Sequence, residues 1–227
     1  MRGRDVIFNL AGQVSHIDSM RDPYTDLDIN CRSQLTILEA CRYNNPHAKV
    51  IYAGTRQVYG RPDSLPVNEA HLVRPTDVNG INKAAGEYYH LVYNNVFGVR
   101  ACSLRLTNVY GPRQNPHGES GVIAIFLEKF LQGATPTIHG DGTQERDYIH
   151  VDDVAVANLL ALEHRLQGTY HICRNGAASV NEVVAALRAA LGNECPVHHG
   201  PAKAGDPFRT RGSHDAFTAA TGWLPRV

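Results

Sequence analysis

The 227-residue sequence lacks several features that would indicate particular classes of protein. It has no excess charge of either sign, because 22 Lys and Arg balance 22 Asp and Glu. Non-specific nucleic-acid binding needs a basic surface, so we expect no nucleic-acid partner. No apolar run approaches the roughly 20 residues of a membrane-spanning helix, so we expect no membrane partner. The opening MRGRDVIFNLAG also lacks the long apolar segment and cleavage site of a signal peptide.

Cysteine is sparse as well. Its five residues are odd in number and show no CxxC spacing, which argues against a disulfide framework and against a clustered metal site. We therefore expect structural thiols in a reducing cytoplasm, and no bound metal. The cysteines are Cys31, Cys41, Cys102, Cys173 and Cys195.

The first half of the chain alternates strand patterns with helix patterns. Nearly continuous apolar runs predict buried strands at 5–12, 49–55 and 100–108. Helical spacing of apolar residues predicts a helix over 29–44, and a second helix follows over about 78–97. This alternation predicts an α/β fold with a parallel, doubly wound sheet.

The pattern changes after a turn-rich loop at 109–120. We expect an amphipathic helix over 121–133 and, over 136–164, a strand, a Gly-rich turn, a short strand and a helix. Asp152 and Asp153 are the predicted caps of that helix. A strand at 168–174 and a capped helix over 179–192, ending at Gly192, complete the prediction.

Several segments, collinear and correctly spaced, resemble the extended short-chain dehydrogenase/reductases. The resemblance is specifically to the NAD-dependent nucleotide-sugar epimerase/dehydratase family, and it covers essentially the whole chain. Each segment is weak evidence alone, and together they are strong evidence. They are NLAG (9–12), Asn30, GTRQVYG (54–60), Lys83, LRLTNVYGPR (104–113), GDGTQERDYIHVDDVA (140–155), GDPFR (205–209) and GWLP (222–225).

The resemblance implies a Rossmann-like doubly wound parallel sheet with a smaller C-terminal α/β substrate lobe. We place a partial cofactor domain at 1–112. The substrate lobe lies mainly at 113–227, with some segments returning to the cofactor domain. The implied cofactor is NAD and the implied partner is a nucleotide-sugar substrate.

The sequence departs from the family at its N-terminus. Family members begin with a strand, a GxxGxxG turn and a helix that together hold the cofactor pyrophosphate. No such motif occurs here, and roughly 60–70 residues of Rossmann geometry are not represented. We expect either a fragment or truncated gene product, or a natural half-site protein. An exposed sheet edge favours association, so we also expect a homo-oligomer.

A second departure lies in DVNGINK (77–83). The family motif is Tyr-x-x-x-Lys, in which the lysine lowers the phenol pKa and binds the nicotinamide ribose while the tyrosine exchanges a proton with the sugar. Lys83 is in register, but Asn79 occupies the tyrosine position and cannot titrate near neutral pH. The resemblance makes Asn79 and Lys83 catalytic-site residues whose usual mechanism is broken.

Thr55 completes the catalytic set that the resemblance implies. It matches the family Ser/Thr that bonds the reacting hydroxyl, and the alternative is a hydroxyl that satisfies backbone at a strand end. Dehydratases and decarboxylases carry carboxylates just after this residue, whereas Arg56 and Gln57 follow it here. A 4-epimerase-like member therefore fits best.

Four other side chains could replace the missing phenol. Tyr59 is the usual family residue at its position, so packing is its expected role. Tyr88 lies five residues beyond Lys83 and should face away from the stripe formed by Asn79 and Lys83. His71 and His90 are open alternatives.

The implied cofactor contacts are Leu10, Ala11, Gly12, Asn30 and Lys83. Small residues in the turn at 10–12 would let its backbone approach the adenosine ribose and pyrophosphate. Asn30 matches a family asparagine near the same turn, and its alternative role is that of a helix N-terminal residue.

The implied substrate contacts are Asn108, Val122, Arg146 and Lys203. Asn108 and Arg146 match residues on the nucleotide-sugar diphosphate, a group that a guanidinium binds with forked bonds. A surface salt bridge is the alternative for Arg146. Lys203 would keep the charge of the arginine found in many relatives.

Two hypotheses follow from these residues. The first is a UDP-glucose 4-epimerase-like, NAD-dependent protein that transiently oxidises the sugar at C4, with impaired activity. The second is a non-catalytic nucleotide-sugar-binding or interaction module, or a fragment of a longer epimerase/dehydratase. Asn79 and the missing Gly-rich turn favour the second, whereas the intact substrate motifs favour retained ligand binding.

Overall fold

The computed structural model describes residues 2–117, 121–202 and 207–227. Its α-helices are α1 (His16–Arg21), α2 (Pro23–Leu27), α3 (Ser33–Asn44), α4 (Val78–Phe97), α5 (Val122–Leu131), α6 (Val151–Glu163), α7 (Val180–Leu191) and α8 (Asp215–Thr221). Its strands are β1 (Val6–Asn9), β2 (Lys49–Thr55), β3 (Arg100–Leu106), β4 (Asn108–Tyr110), β5 (Thr137–His139), β6 (Glu145–Arg146), β7 (Tyr148–His150), β8 (Gly168–Ile172), β9 (Ala178–Ser179) and β10 (His198–Gly200).

The main sheet contains four strands in the order β1-β2-β3-β8, and every neighbouring pair is parallel. Adjacent residues of β2 pack into two different apolar clusters. Val50 packs with α3 and α4, whereas Ile51 packs with α6 and α8. Because side chains alternate across a strand, both faces of the sheet are covered. The predicted doubly wound parallel α/β fold is confirmed.

Helix α4 carries the motif that matters most for function. The Asp77 side chain caps it by accepting a hydrogen bond from the Gly80 amide at 2.6 Å. Gly98 ends it in the left-handed conformation, with φ of 71°. The predicted bounds of about 78–97 agree with the observed ones.

The helical segment before β2 begins earlier than predicted. The prediction of a helix over 29–44 missed α2, which Asp22 caps and Pro23 opens. A π-helical turn, Asp28–Arg32, then joins α2 to α3. Asn30 lies inside this turn, so its alternative role as a helix N-terminal residue is wrong.

Other predicted boundaries also need correction. The apolar run at 5–12 forms a strand only to Asn9, since the following residues turn away from the sheet. The strand predicted at 100–108 ends at Leu106, and Asn108 begins the separate strand β4. The cap of α6 is His150, whose ring accepts from the Asp152 amide, rather than Asp152 or Asp153.

The C-terminal half adds a further apolar cluster in which α5, α7 and β5 meet. Its buried members are Phe126, Phe130, Ile138, Val180, Val184 and Cys195. Strand β8, which lies in the C-terminal half of the chain, belongs to the main sheet. The predicted boundary between the cofactor domain (1–112) and the substrate lobe (113–227) stays a prediction.

Within the described ranges, none of the helices combines the length and apolar character that crossing a bilayer would require. The same ranges contain no cluster of three or more His, Cys, Asp or Glu residues suited to a metal ion.

Candidate active site

The predicted catalytic residues lie on β2 and α4, two elements that pack against each other. Thr55 is the last residue of β2, and Asn79 and Lys83 lie in the first two turns of α4. Both α4 side chains are buried. Residues four apart share one helix face, so Asn79 and Lys83 point the same way. Ligands of open α/β sheets bind at this carboxyl edge.

A buried carboxylate that the sequence prediction missed organises this region. Asp26, on α2, accepts hydrogen bonds from three asparagine amides and is almost fully buried. Asn79 Nδ2 lies 2.9 Å and Asn30 Nδ2 lies 3.0 Å from Asp26 Oδ2, and Asn82 Nδ2 lies 2.8 Å from Oδ1. Three donors compensate the carboxylate for its loss of water.

These contacts determine the orientation of Asn79. Its amide nitrogen donates to Asp26 and, at 3.0 Å, to the carbonyl of Gln13. Both of its amide protons are therefore engaged. Its Oδ1 is buried and has no hydrogen-bond partner among the described residues. Asn79 Oδ1 is therefore an acceptor that none of the described residues satisfies, and the amide has no proton to exchange near neutral pH.

Lys83 lies beside the turn at residues 10–12. A Cβ added to Gly12 would lie 2.3 Å from Lys83 Nζ and 3.0 Å from Asn30 Oδ1, so a larger residue there would displace the end of the Lys83 side chain. Burial lowers the pKa of Lys83 to about 8, and the nearby charge of Asp26 opposes that shift. The ammonium thus faces the turn that the resemblance assigns to NAD.

The turn itself is held by α3 and the π-helical turn. Asn30 Oδ1 accepts from the Gln13 amide at 3.0 Å, and Gln34 Nε2 reaches the Ala11 carbonyl at 3.5 Å. The side chain of Leu10 is exposed. A small-residue turn opposite a lysine fits the ribose side of NAD. The Gly-rich turn that would hold the pyrophosphate is not part of this sequence.

Thr55 also has a local role. Its Oγ1 accepts from the Gln57 amide at 3.1 Å and caps the short 3₁₀ turn Arg56–Tyr59. This is the backbone role that the sequence left open. The hydroxyl proton is not used by that contact, so Thr55 can still donate to a ligand. Its catalytic role stays a prediction.

The predicted substrate residues lie after β3, in the C-terminal half of the chain. Asn108 Oδ1 is buried and has no partner among the described residues. Val122 begins α5. Arg146 is buried and its Nη1 lies 2.8 Å from the Glu145 carbonyl, and both of its predicted roles stay predictions. Lys203 lies outside the described residues.

The candidate substitutes for the phenol point elsewhere. Tyr59 donates to His171 Nε2 at 2.5 Å and accepts from Arg105, in agreement with the predicted packing role. Tyr88 is exposed, as its position on α4 predicts. His90 is buried and stacks on Tyr52 with ring centroids 4.4 Å apart. His71 bonds through its ring nitrogens to backbone atoms of its own loop.

Comparison with known proteins identifies the family of the chain. The model of the NAD dependent epimerase/dehydratase family matches residues 2–173. A UDP-glucose 4-epimerase of Mycolicibacterium smegmatis is 35% identical over 98% of this chain and 72% of its own. The UDP-glucose 4-epimerase of Thermotoga maritima, solved with UDP-glucose, is 34% identical with a TM-score of 0.94, covering 98% of this chain and 72% of its own. The UDP-glucose 4-epimerase of Thermus thermophilus, solved with NAD, is 37% identical with a TM-score of 0.92. This match covers 99% of this chain and 73% of the Thermus chain.

The chain belongs to the NAD-dependent epimerase/dehydratase family. Within that family it is UDP-glucose 4-epimerase-like. The family, fold and cofactor predicted from the sequence are therefore confirmed. The individual site residues stay predictions.

Proposed function

We propose that the chain binds a UDP-sugar at the carboxyl edge of its sheet and that its 4-epimerase chemistry is impaired. The orientation of Asn79 carries this proposal. Its amide protons are bound by Asp26 and Gln13, and an asparagine has no proton to exchange near neutral pH. A positioned acid/base contributes about 10²–10⁴ in rate, and this site lacks the usual one.

The remaining groups support binding and orientation of the sugar. NAD, when bound, would supply hydride acceptance and return at the sugar C4. Thr55 would donate its hydroxyl proton to the C4 oxygen. Asn79 Oδ1, which has no partner among the described residues, would accept from the C4 hydroxyl. This arrangement would hold the alcohol in its protonated form and would leave its oxidation slow.

The residues on either side of this centre have separate proposed roles. Asn108, Val122 and Arg146, together with Lys203, would contact the nucleotide sugar. On the opposite side, the turn at 10–12, Asn30 and Lys83 would contact the ribose of NAD. The buried, unpartnered Oδ1 of Asn108 and the close approach of Lys83 Nζ to Gly12 support this division.

Calorimetry and an epimerase assay test the proposal together. We expect UDP-glucose to bind and its conversion to UDP-galactose to be slow. Asn79→Tyr should raise turnover by about 100-fold or more. Asn79→Phe should not, because phenylalanine nearly equals tyrosine in volume but lacks the hydroxyl. Failure of UDP-glucose to bind, or equal turnover in the tyrosine and phenylalanine variants, would contradict the proposal.

A second candidate is a half-site that is completed by another polypeptide segment. Among the described residues, β1 pairs with β2 and leaves its other edge open, with Phe8 41% exposed. A strand–turn–helix unit added at this edge would supply the pyrophosphate site. UDP-glucose binding without NAD binding, and no turnover even in Asn79→Tyr, would favour this candidate.

We also propose a homo-oligomer in the cytoplasm. The exposed apolar residues Ile81, Tyr88, Val92 and Val96 follow one face of α4 and support a contact with a second copy. All five cysteines are free thiols, which suits a reducing compartment. Sedimentation velocity should show a dimer that Val92→Lys dissociates. A monomeric chain would contradict the assembly.

A further inference from the structure

A histidine that the proposed mechanism leaves unused lies beside the start of α4. His16 Nδ1 lies 3.1 Å from Asp77 Oδ2, and Asp77 is the residue that caps α4, two positions before Asn79. The side chain of His16 is 54% exposed, whereas that of Asp77 is 6% exposed. The imidazole is therefore anchored through one ring nitrogen to a buried carboxylate, and the ring itself is open to a ligand.

Three donors hold the Asp77 carboxylate. Its Oδ1 accepts from the Gly80 amide at 2.6 Å, and its Oδ2 accepts from Gln57 Nε2 at 2.9 Å as well as from His16. Because a carboxylate only accepts, His16 Nδ1 carries the proton of this contact, and Nε2 of the neutral ring presents a lone pair. Among the described residues, none is hydrogen-bonded to Nε2.

One series of hydrogen bonds connects His16 to the predicted catalytic threonine. Thr55 Oγ1 accepts from the Gln57 backbone amide at 3.1 Å, and the Gln57 side chain donates to Asp77. Since Asp77 also binds His16, only the side chains of Gln57 and Asp77 lie between the imidazole and Thr55 in this series. The histidine is thereby linked to the carboxyl end of β2, where ligands of open α/β sheets bind.

A second series connects His16 to Asn79. The Asn79 backbone amide donates to Ser19 Oγ at 3.2 Å, and that hydroxyl donates to the His16 carbonyl at 2.8 Å. The Asn79 side chain also donates to the carbonyl of Gln13, three residues before His16. Helix α1 and the segment before it therefore contact the turn of α4 that contains Asn79.

We infer that His16 transfers the C4 hydroxyl proton in the residual epimerase reaction, an inference that rests on the proposed function. In the oxidation half, the hydroxyl proton passes to His16 Nε2 while the C4 hydrogen leaves as hydride to NAD⁺, so the C4 alcohol becomes a ketone. In the return half, the hydride comes back to the opposite face of C4, and Nε2 returns the proton to the oxygen. A histidine does both near neutral pH, directly or through one water.

Asp77 is the positioning residue of this pair. Its carboxylate fixes the tautomer and orientation of the ring, and it stabilises the imidazolium that forms when the proton is taken up. The alternative is a surface ion pair that only supports the cap of α4. The two roles differ at Nε2, since only proton transfer uses that nitrogen.

The principal test replaces His16 by asparagine, whose amide can donate to Asp77 in place of Nδ1 but takes up no proton. We expect His16→Asn to lower kcat for UDP-glucose epimerisation about 100-fold, while the calorimetric Kd changes less than about threefold. Free imidazole should restore part of the kcat of His16→Ala, because the site is exposed. His47→Asn, an exposed histidine before the amino end of β2, is the control and should keep kcat.

Two further measurements distinguish proton transfer from a structural role. In the Asn79→Tyr chain, adding His16→Asn should cost less than about tenfold in kcat, since the phenol then shares the proton transfer. Without NAD, UDP-glucose should shift the His16 imidazole resonances in an NMR titration more than UDP does, because only UDP-glucose carries the hexose. The His16→Asn spectrum assigns those resonances.

The outcomes separate this inference from the function on which it rests. If UDP-glucose binds but His16→Asn keeps its kcat, or imidazole does not restore His16→Ala, the inference is overturned and the proposed function stands. Equal losses in the wild-type and Asn79→Tyr backgrounds, or no turnover by the wild-type chain with UDP-glucose bound, would also overturn it. If UDP-glucose does not bind, the proposed function fails and the inference fails with it. Thermal unfolding of each variant verifies that the fold is retained.

Discussion

Asn79 Nδ2 donates to the buried carboxylate of Asp26 over 2.9 Å, joining α4 to α2 across 53 positions of the chain. The contact makes Asn79, which looks like a degenerate catalytic position, part of a buried hydrogen-bond network around Asp26. Asn30 and Asn82 belong to the same network. Asn79, which the sequence predicts to stand at the position of the family phenol, thus has a structural role.

The first prediction concerns this network. Asn79→Asp should lower the free energy of unfolding at pH 7 by roughly 3 kcal/mol, because a donor becomes a second buried negative charge. At pH 4.5 the loss should shrink, since protonation of one carboxyl restores a donor. Urea denaturation at the two pH values measures this. Asn95→Asp, exposed on the same helix, is the control, and equal losses in the two variants would contradict the network.

Lys83 provides a pH-dependent prediction. Burial lowers its pKa from 10.5 to about 8, so between these values the unfolded chain holds a proton that the folded chain has released. The free energy of unfolding should therefore rise with pH from 8 to 10.5, by about 3 kcal/mol relative to Lys83→Met. Denaturant titrations at both pH values give the difference. Lys129→Met, on α5, is the control, and a pH-independent difference for Lys83→Met would refute the prediction.

His90 should make the fold sensitive to mild acid. Burial lowers its pKa from 6.5 to about 4, while its Nδ1 bonds to the Gly86 carbonyl at 2.8 Å. The unfolded chain binds the extra proton between these values, so stability should fall as pH drops from 6.5 to 4, by up to about 3 kcal/mol. His90→Phe should flatten this part of the profile, whereas the exposed His47→Gln should not. Parallel profiles for wild type and His90→Phe would rule this out.

Replacing one partner of the buried Glu87–Arg105 ion pair should lower the free energy of unfolding strongly. Both side chains are nearly buried, at 5% and 6% exposure, so Glu87→Gln strands a guanidinium charge and should cost about 3–5 kcal/mol. Replacing both residues by glutamine should cost clearly less than the sum of the single changes. The exposed Asp63–Arg74 pair is the control, and Asp63→Asn should cost under about 1 kcal/mol. Additive losses at the buried pair would contradict this account.

Elements with strong local signals were predicted accurately. Strand β2 occupies 49–55 and helix α4 occupies 78–97, as their apolar runs and the capping residues Asp77 and Gly98 indicate. The cap of α6 was predicted wrongly because an aspartate pair is the commoner signal, and here a histidine ring accepts the bond. Helix α2 was missed although Asp22 and Pro23 form a standard start signal.

By itself the sequence determined the family and the parallel α/β fold, because these depend on local patterns and collinear motifs, and it predicted that Asn79 replaces the family tyrosine. Tertiary structure decided what Asn79 does, since Asp26 reaches it only through the packing of α2 against α4. It also decided which residues line a cleft beyond the ends of β2 and β3, since Arg105 and Thr210 meet there only when distant segments pack together. The physical reason is that charge compensation and hydrogen-bond satisfaction depend on distances in space, which spacing along the chain does not encode.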